Sequence, residues 1–145
     1  MRPTTDPLAR QRVMAAGVAR LATLDAQHGG PHLVPICFVL AADTVYSVVD
    51  QKPKRSTRLH RLANVEADPR ASLLVDYYSE DWTKLWWDRL DCTARIVTDT
   101  VTDTAERSAA LERLAAKYVQ YRDVELSGTV LALDILRWTS WQASS

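Results

Sequence analysis

Ten consecutive residues, Lys52 to Arg61, hold the densest set of anion-binding groups in the chain: Lys-Pro-Lys-Arg-Ser-Thr-Arg-Leu-His-Arg. Five of the 18 Lys and Arg residues fall here, and no acid lies between Asp50 and Glu66. Lys54, Arg55 and Arg58 offer charge-assisted hydrogen bonds, with Ser56 and Thr57 adding hydroxyls beside them. Thr44 to Val49 alternates as a strand does, and Leu59, Leu62, Ala63 and Glu66 follow at helical spacing until Asp68-Pro69 stops them. The run therefore marks a strand-to-helix turn, with Ser56 or Thr57 as the helix N-cap. A helix start presents free N–H groups and partial positive charge, which suits a phosphate. A solvated surface charge run is the other use of such residues.

The remaining reactive residue types are sparse. Cys37 and Cys92, the two cysteines, sit in apolar strand-like stretches with no C-x-x-C spacing, and read as buried structural thiols. His28 and His32 are four apart, but Gly29-Gly30-Pro31 between them rules out a shared helix face, so no metal site is expected. There is no Ser-His-Asp pattern, no G-x-S-x-G elbow and no Walker loop.

The chain has 145 residues, with 47% hydrophobic and 25% charged, the balance of one globular domain over residues 1–145. With 18 cationic and 18 anionic side chains the formal net charge is zero, which argues against nucleic acid as a partner and makes the basic run a local feature. No stretch approaches the ~20 apolar residues of a membrane helix, and the first residues lack a signal-peptide core. A cytoplasmic protein with no membrane partner is expected.

Positioning falls to strands and a few helices. Asp6 and Pro7 open a first helix that Gly17 ends. Val18–Leu24, His32–Leu40 and Thr44–Val49 read as a β-meander, with Pro35 marking an edge, a bulge or a place where a ligand uses the backbone. Ala71–Tyr78 is a fourth strand. Trp82 to Val97 is extended and too long to run straight, so a bend or bulge is expected near Asp91. A helix from Thr104 to Arg122 follows, opened by a capping box of Asp103 and Glu106, with Leu111, Leu114, Ala115 and Tyr118 as its apolar stripe. Thr129 to Trp138 is the last strand. Antiparallel strands with sparse helices predict a mainly β protein, a small closed or partly closed barrel.

The five tryptophans, Trp82, Trp86, Trp87, Trp138 and Trp141, complete the picture. Neighbours Trp86 and Trp87 point to opposite faces of a strand, so one enters the core while the other meets solvent, a partner chain or a ligand. Core packing and stacking on a flat aromatic cofactor are both open to these residues.

Taken together, Val18-Ala-Arg-Leu-Ala-Thr-Leu24, His32-Leu-Val-Pro-Ile36, Val45-Tyr46 through Lys52-Pro-Lys-Arg55, and Asp68-Pro-Arg-Ala-Ser-Leu-Leu-Val-Asp76 resemble the flavin and deazaflavin oxidoreductases with the pyridoxamine-phosphate-oxidase-like split β-barrel. Asp81-Trp82 with Leu85-Trp86-Trp87 is similar to an actinobacterial branch described as using coenzyme F420, a deazaflavin. The resemblance spans roughly residues 5 to 141. It implies an antiparallel, FMN-binding type of split barrel that forms a homodimer with cofactor sites at the subunit interface. It implies further that Lys52, Lys54, Arg55, Ser56, Thr57 and Arg58 hold the cofactor phosphate. The ring would lie along Pro35, Ile36 and Cys37, and Trp86, Trp87 and Trp138 would close the site from the partner chain. Related sequences carry glycine where this chain has Cys92.

The activity so implied is hydride transfer from reduced F420 to a small organic acceptor; the cofactor does the chemistry while the protein binds and orients it. No catalytic side chain is singled out: water, Tyr77, Tyr78 and His60 are all open as proton donors. Two rivals remain, an FMN-dependent oxidoreductase of the same fold and a non-catalytic flavin- or haem-binding protein.

Overall fold

A computed structural model describes residues 6–49, 55–98, 103–122 and 128–144. Helix α1 (Pro7–Ala15) is opened by Asp6, whose carboxylate accepts from the Leu8 N–H, with proline in the first turn. Strands β1 (Ala19–Leu24), β2 (Pro31–Ile36), β3 (Val39–Ala41) and β4 (Thr44–Val49) follow, then helix α2 (Arg55–Ala67). Strands β5 (Arg70–Tyr77) and β6 (Trp86–Val97), helix α3 (Thr104–Lys117) and strand β7 (Thr129–Gln142) complete the order.

The strands form one antiparallel sheet of seven, in the order β2-β1-β5-β6-β7-β4-β3. The expected meander is therefore corrected. The apolar run from His32 to Leu40 is broken at Cys37 and Phe38 into β2 and β3, which lie on opposite edges of the sheet. Laid flat, six strand spacings would separate those edges by about 29 Å. Two intervening residues bridge at most about 11 Å. The sheet must therefore curl until its edges meet at a seam, and Cys37-Phe38 is that seam.

Leu21, Phe38, Val45, Leu73, Val75, Leu90, Leu131 and Leu133 fill the barrel, each at most 1% exposed. Ala9 and Val13 of α1 and Val65 of α2 join this core. Helix α3 packs outside. Leu114 meets Val39 and Val48, and Ala110 meets Val97, Val130 and Ala132, so the first half of β7 is buried on both faces. Beyond Asp134 that cover ends.

Several boundaries differ from the sequence reading for identifiable reasons. The long extended stretch begins at Trp86, because Trp82–Lys84 forms a 3-10 turn capped by Asp81. The bulge near Asp91 is present: Asp91 pairs with Arg137 and Cys92 with Ile135, leaving Leu136 as the extra residue on β7. Strand β7 continues to Gln142 because Trp86 to Asp88 need partners. Helix α3 ends at Lys117, where Tyr118 turns extended, and Asp103 makes no capping bond to the helix, its carboxylate accepting from Thr98 instead.

Candidate functional site

The basic run lies partly within the described residues. Lys52 and Lys54 fall outside them; for Arg55, Ser56, Thr57 and Arg58 the backbone is described and places all four in the first turn of α2. Ser56 and Thr57 are thus inside the helix rather than its N-cap. Farther along, α2 is fixed by polar contacts. Asn64 is fully buried; its carbonyl oxygen accepts from Ala26 N at 2.9 Å and its amide donates to Thr23 Oγ1 at 3.1 Å. His60 Nε2 lies 3.0 Å from Asp25 Oδ2. Backbone N–H groups of His28 and Gln27, with His60 beside them, hold the Asp25 carboxyl down at about 2.

Pro35, Ile36 and Cys37 lie at the seam. Strand β2 is a sheet edge, so Pro35 costs no ladder bond there, and its ring is exposed on the outer face. Ile36 points into the core. Cys37 is exposed, which corrects the expectation of a buried thiol; Cys92 is buried, and burial pushes its thiol up to about 12.

Lys117, which sequence reasoning passed over, and Tyr118, which it read only as part of an apolar stripe, clamp this seam from the end of α3. The Tyr118 hydroxyl accepts from Phe38 N at 2.9 Å and stands 3.0 Å from Gly17 O. Lys117 Nζ donates to Phe38 O at 2.9 Å and sits 3.9 Å over the Phe38 ring. Burial lowers the Lys117 amine to about 8. The available signal was their place on an amphipathic helix, which does not say that the helix ends at Lys117 against a gap in a barrel.

The tryptophans divide by face. Trp138 is 9% exposed, its indole N–H donates to Asp88 Oδ1 at 2.8 Å, and Arg10 lies over its ring. It packs with the core cluster inside the barrel. Trp86 lies beneath the Arg12 guanidinium, stacked with Tyr77. Trp87 stands on the outer face, paired in register with Trp141. Asp88 was also missed, although its alternation with Leu90 and Cys92 marks an inward position. Fully buried, it accepts from Arg12 Nε at 2.7 Å, from Trp138 and from Ser140.

Trp87 and Trp141, with Leu74, Tyr78 and Leu85, wall an open groove of about 440 Å³ that also takes in Asp76 and Arg89. Tyr77, Tyr78 and Trp86 line it too; His60 does not. The groove is part of a larger bare face. Pro35, Arg20, Leu74 and Arg89 form one cross-strand row, and Leu33, Leu136 and Trp141 are exposed nearby at 67%, 53% and 43%. Among the described residues no group of three or more His, Cys, Asp or Glu is placed to hold a metal, and no helix is long and apolar enough to cross a membrane.

The sequence pattern of the family described as pyridoxamine 5'-phosphate oxidase matches residues 5–142. The chain belongs to that family. Solved members of the fold include a FAD-binding protein from Mesorhizobium loti, 19% identical, with a TM-score of 0.71 and 94% of each chain covered. The heme storage protein HutZ of Vibrio cholerae is 15% identical at a TM-score of 0.66, over 98% of this chain and 95% of that one. A conserved hypothetical protein from Mycobacterium tuberculosis is 18% identical at 0.70, over 97% and 86%. At these identities the likeness is one of fold. No curated protein matches the sequence.

Proposed function

We propose that the chain is a homodimeric oxidoreductase that binds coenzyme F420 and serves hydride transfer to a small organic acceptor. The observation that carries this reading is the start of α2 at Arg55, which puts the backbone of Arg55, Ser56, Thr57 and Arg58 in the first turn of a 13-residue helix. A helix N-terminus whose first turn is rich in such residue types suits an anion. Strand β2 offers an edge along which a flat ring lies, with Pro35, Ile36 and Cys37 at its far end. The bare outer face supports a second copy of the chain, because exposed Leu33, Leu136 and Trp141 beside an aromatic groove make a patch that a lone domain seldom leaves in water. Trp86 and Trp87 are then the residues that close the partner's site; Trp138, buried in its own chain, leaves that set. The bound deazaflavin supplies the hydride; this chain grips the phosphate, orients the ring and keeps water from it.

FMN is the second reading, because its single phosphate needs no more than the helix start itself. Haem binding is the other rival: of the haem-ligand residue types, the groove lining offers Tyr77 and Tyr78. Parallel titration of the protein with FMN and F420 tests the reading. Tighter F420 binding is expected, with a preference that shrinks as salt rises. Replacing Lys54 and Arg55 together by Ala should weaken binding about 100-fold or more, two charge-assisted bonds at about 1.5–3 kcal/mol each. Equal or tighter FMN binding with turnover from reduced FMN would transfer the assignment to FMN, and unchanged affinity in the double variant would move the phosphate site elsewhere.

A further inference from the structure

The β1–β2 ladder stops short of where its register would carry it, and a side chain stands in the gap. Asp25 N donates to Gly30 O at 2.7 Å, which makes that couple a hydrogen-bonded pair of the hairpin. Bonded pairs recur at every second residue, so Thr23–His32, Leu21–Val34 and Ala19–Ile36 are the rungs of the ladder. Pro31 and Pro35 fall on the alternate positions, whose backbone groups face the sheet edge, where a residue without an N–H costs nothing. The next rung in the same register is Gly17–Phe38, with Phe38 N donating to Gly17 O. That bond is relayed through Tyr118 instead. Phe38 N donates to the Tyr118 hydroxyl at 2.9 Å, and the hydroxyl lies 3.0 Å from Gly17 O. Its other acceptor, Phe38 O at 3.1 Å, already accepts from Lys117 Nζ at 2.9 Å, so the single hydroxyl proton is free for Gly17 O.

The hydroxyl is held firmly in place. Tyr118 N donates to Leu114 O at 2.9 Å at the end of α3, and its ring packs against Tyr121 with centres 5.6 Å apart. Cys37 O, on the side turned away from β1, accepts from Ser47 Oγ of β4 at 2.9 Å. The end of β2 is thus tied to α3, to the approach to β1 and to β4 by side chains, where a longer strand would use backbone. Phe38 is fully buried, and a buried N–H needs a partner.

We infer that Tyr118 is a positioning residue for the proposed cofactor site, its hydroxyl acting as a relayed rung that sets the direction in which β2 ends. This rests on the reading that the ring lies along Pro35, Ile36 and Cys37. Backbone at the β2 edge cannot follow a misplaced ring by changing rotamer, so the direction of the strand decides the fit. The hydroxyl also works as a spacer: it keeps the Gly17–Phe38 rung from closing directly and leaves the chain room to turn at Cys37 toward β3. Lys117 acts in the same sense from the carbonyl side of Phe38.

Tyr118→Phe tests this, because it removes the hydroxyl and keeps the ring against Tyr121. The Phe38 amide should then exchange about fivefold faster, the net worth of one hydrogen bond. Binding is measured well below the melting temperature with a cofactor and its phosphate-free core, either FMN with riboflavin or F420 with its deazaflavin riboside, taking the pair that native protein binds more tightly. Both members should bind about fivefold more weakly to Tyr118→Phe. Their ratio should not change, since the phosphate grip is assigned to α2. The visible absorption band of the bound ring should move toward that of the free ring, which a loss of stability alone does not cause. Lys117→Met should act in the same direction and less, because Tyr118 stands by the same carbonyl oxygen; it decides the matter should Tyr118→Phe not fold. Faster Phe38 exchange with unchanged binding and spectrum overturns the positioning role and leaves the cofactor reading standing. A loss confined to the phosphate-bearing member overturns it as well, since the effect then lies at the phosphate. Native protein that binds neither pair removes the cofactor reading, and the positioning role with it.

Discussion

Asp88 is the residue whose loss the fold should feel most. Its carboxylate has no solvent exposure, and its main partner, Arg12, is 11% exposed. Arg12 donates to both carboxylate oxygens, at 2.7 and 3.2 Å, while Trp138 and Ser140 donate as well. Asp88→Ala strands a nearly buried guanidinium, an indole N–H and a hydroxyl together. Removing one partner of a buried pair costs about 3–5 kcal/mol. For a chain of this size each kcal/mol moves the melting temperature by about 3–4 °C, so a fall of about 9–20 °C is expected. Thermal unfolding of native protein, Asp88→Ala, Arg12→Met and the double variant Arg12→Met/Asp88→Leu, all at one protein concentration, measures this. The double variant should recover much of the loss, since it buries no unpaired charge. A loss below about 1 kcal/mol in Asp88→Ala, or additive single effects, would refute the account of α1 as held to the barrel by this pair.

Introducing charge into the bare sheet face with Leu136→Asp should shift a homodimer to monomer in a sedimentation run at micromolar concentration and weaken FMN binding with it; native protein that sediments only as monomer would remove the dimer. Lys117, whose amine is lowered from 10.5 to about 8, binds fewer protons folded than unfolded between those values, so its contribution makes stability rise with pH across that window. Lys117→Met should lack that rise in denaturant unfolding at pH 7.5 and 10. Glu106 is held at about 2 by Arg95, and Tyr46 also donates to it. Its contribution is present above pH 4.5 and is lost as pH falls through about 2, so Glu106→Gln should cost about 1 kcal/mol at pH 7 and flatten acid unfolding in that interval.

The strands and helices were readable because each carries its own period: β6 alternates inward Asp88, Leu90, Cys92 and Ala94 with outward neighbours, and α1 announces itself with Asp6-Pro7. The bulge was readable from length alone, since a strand of that extent must bend. Strand order was not. Nothing local in His32–Leu40 says that the chain crosses from one sheet edge to the other at Cys37; that follows only from barrel closure. The same limit hid the partners of Asp88, Lys117 and Tyr118, which lie 50 to 101 residues away in the chain. Trp138 illustrates the ambiguity of composition: an indole suits a core or a ligand equally, and only the Asp88 carboxylate beside it decides.

The position of β7 between β6 and β4 governs how the barrel can be made. Thr44 meets Asp134 across a separation of 90 residues, and twelve register pairs join β6 to the same strand. Contacts of that range close late, which points to folding on the millisecond-to-second scale rather than in microseconds. Until residues 129–142 have emerged, one edge of β6 and one edge of β4 stand open, and the pair β3–β4 has no hydrogen-bonded route to the rest of the sheet. Open edges are templates for pairing with other chains. The nascent protein is therefore most prone to aggregate in the interval just before its final strand arrives, and that strand acts as the wedge that ends the exposure.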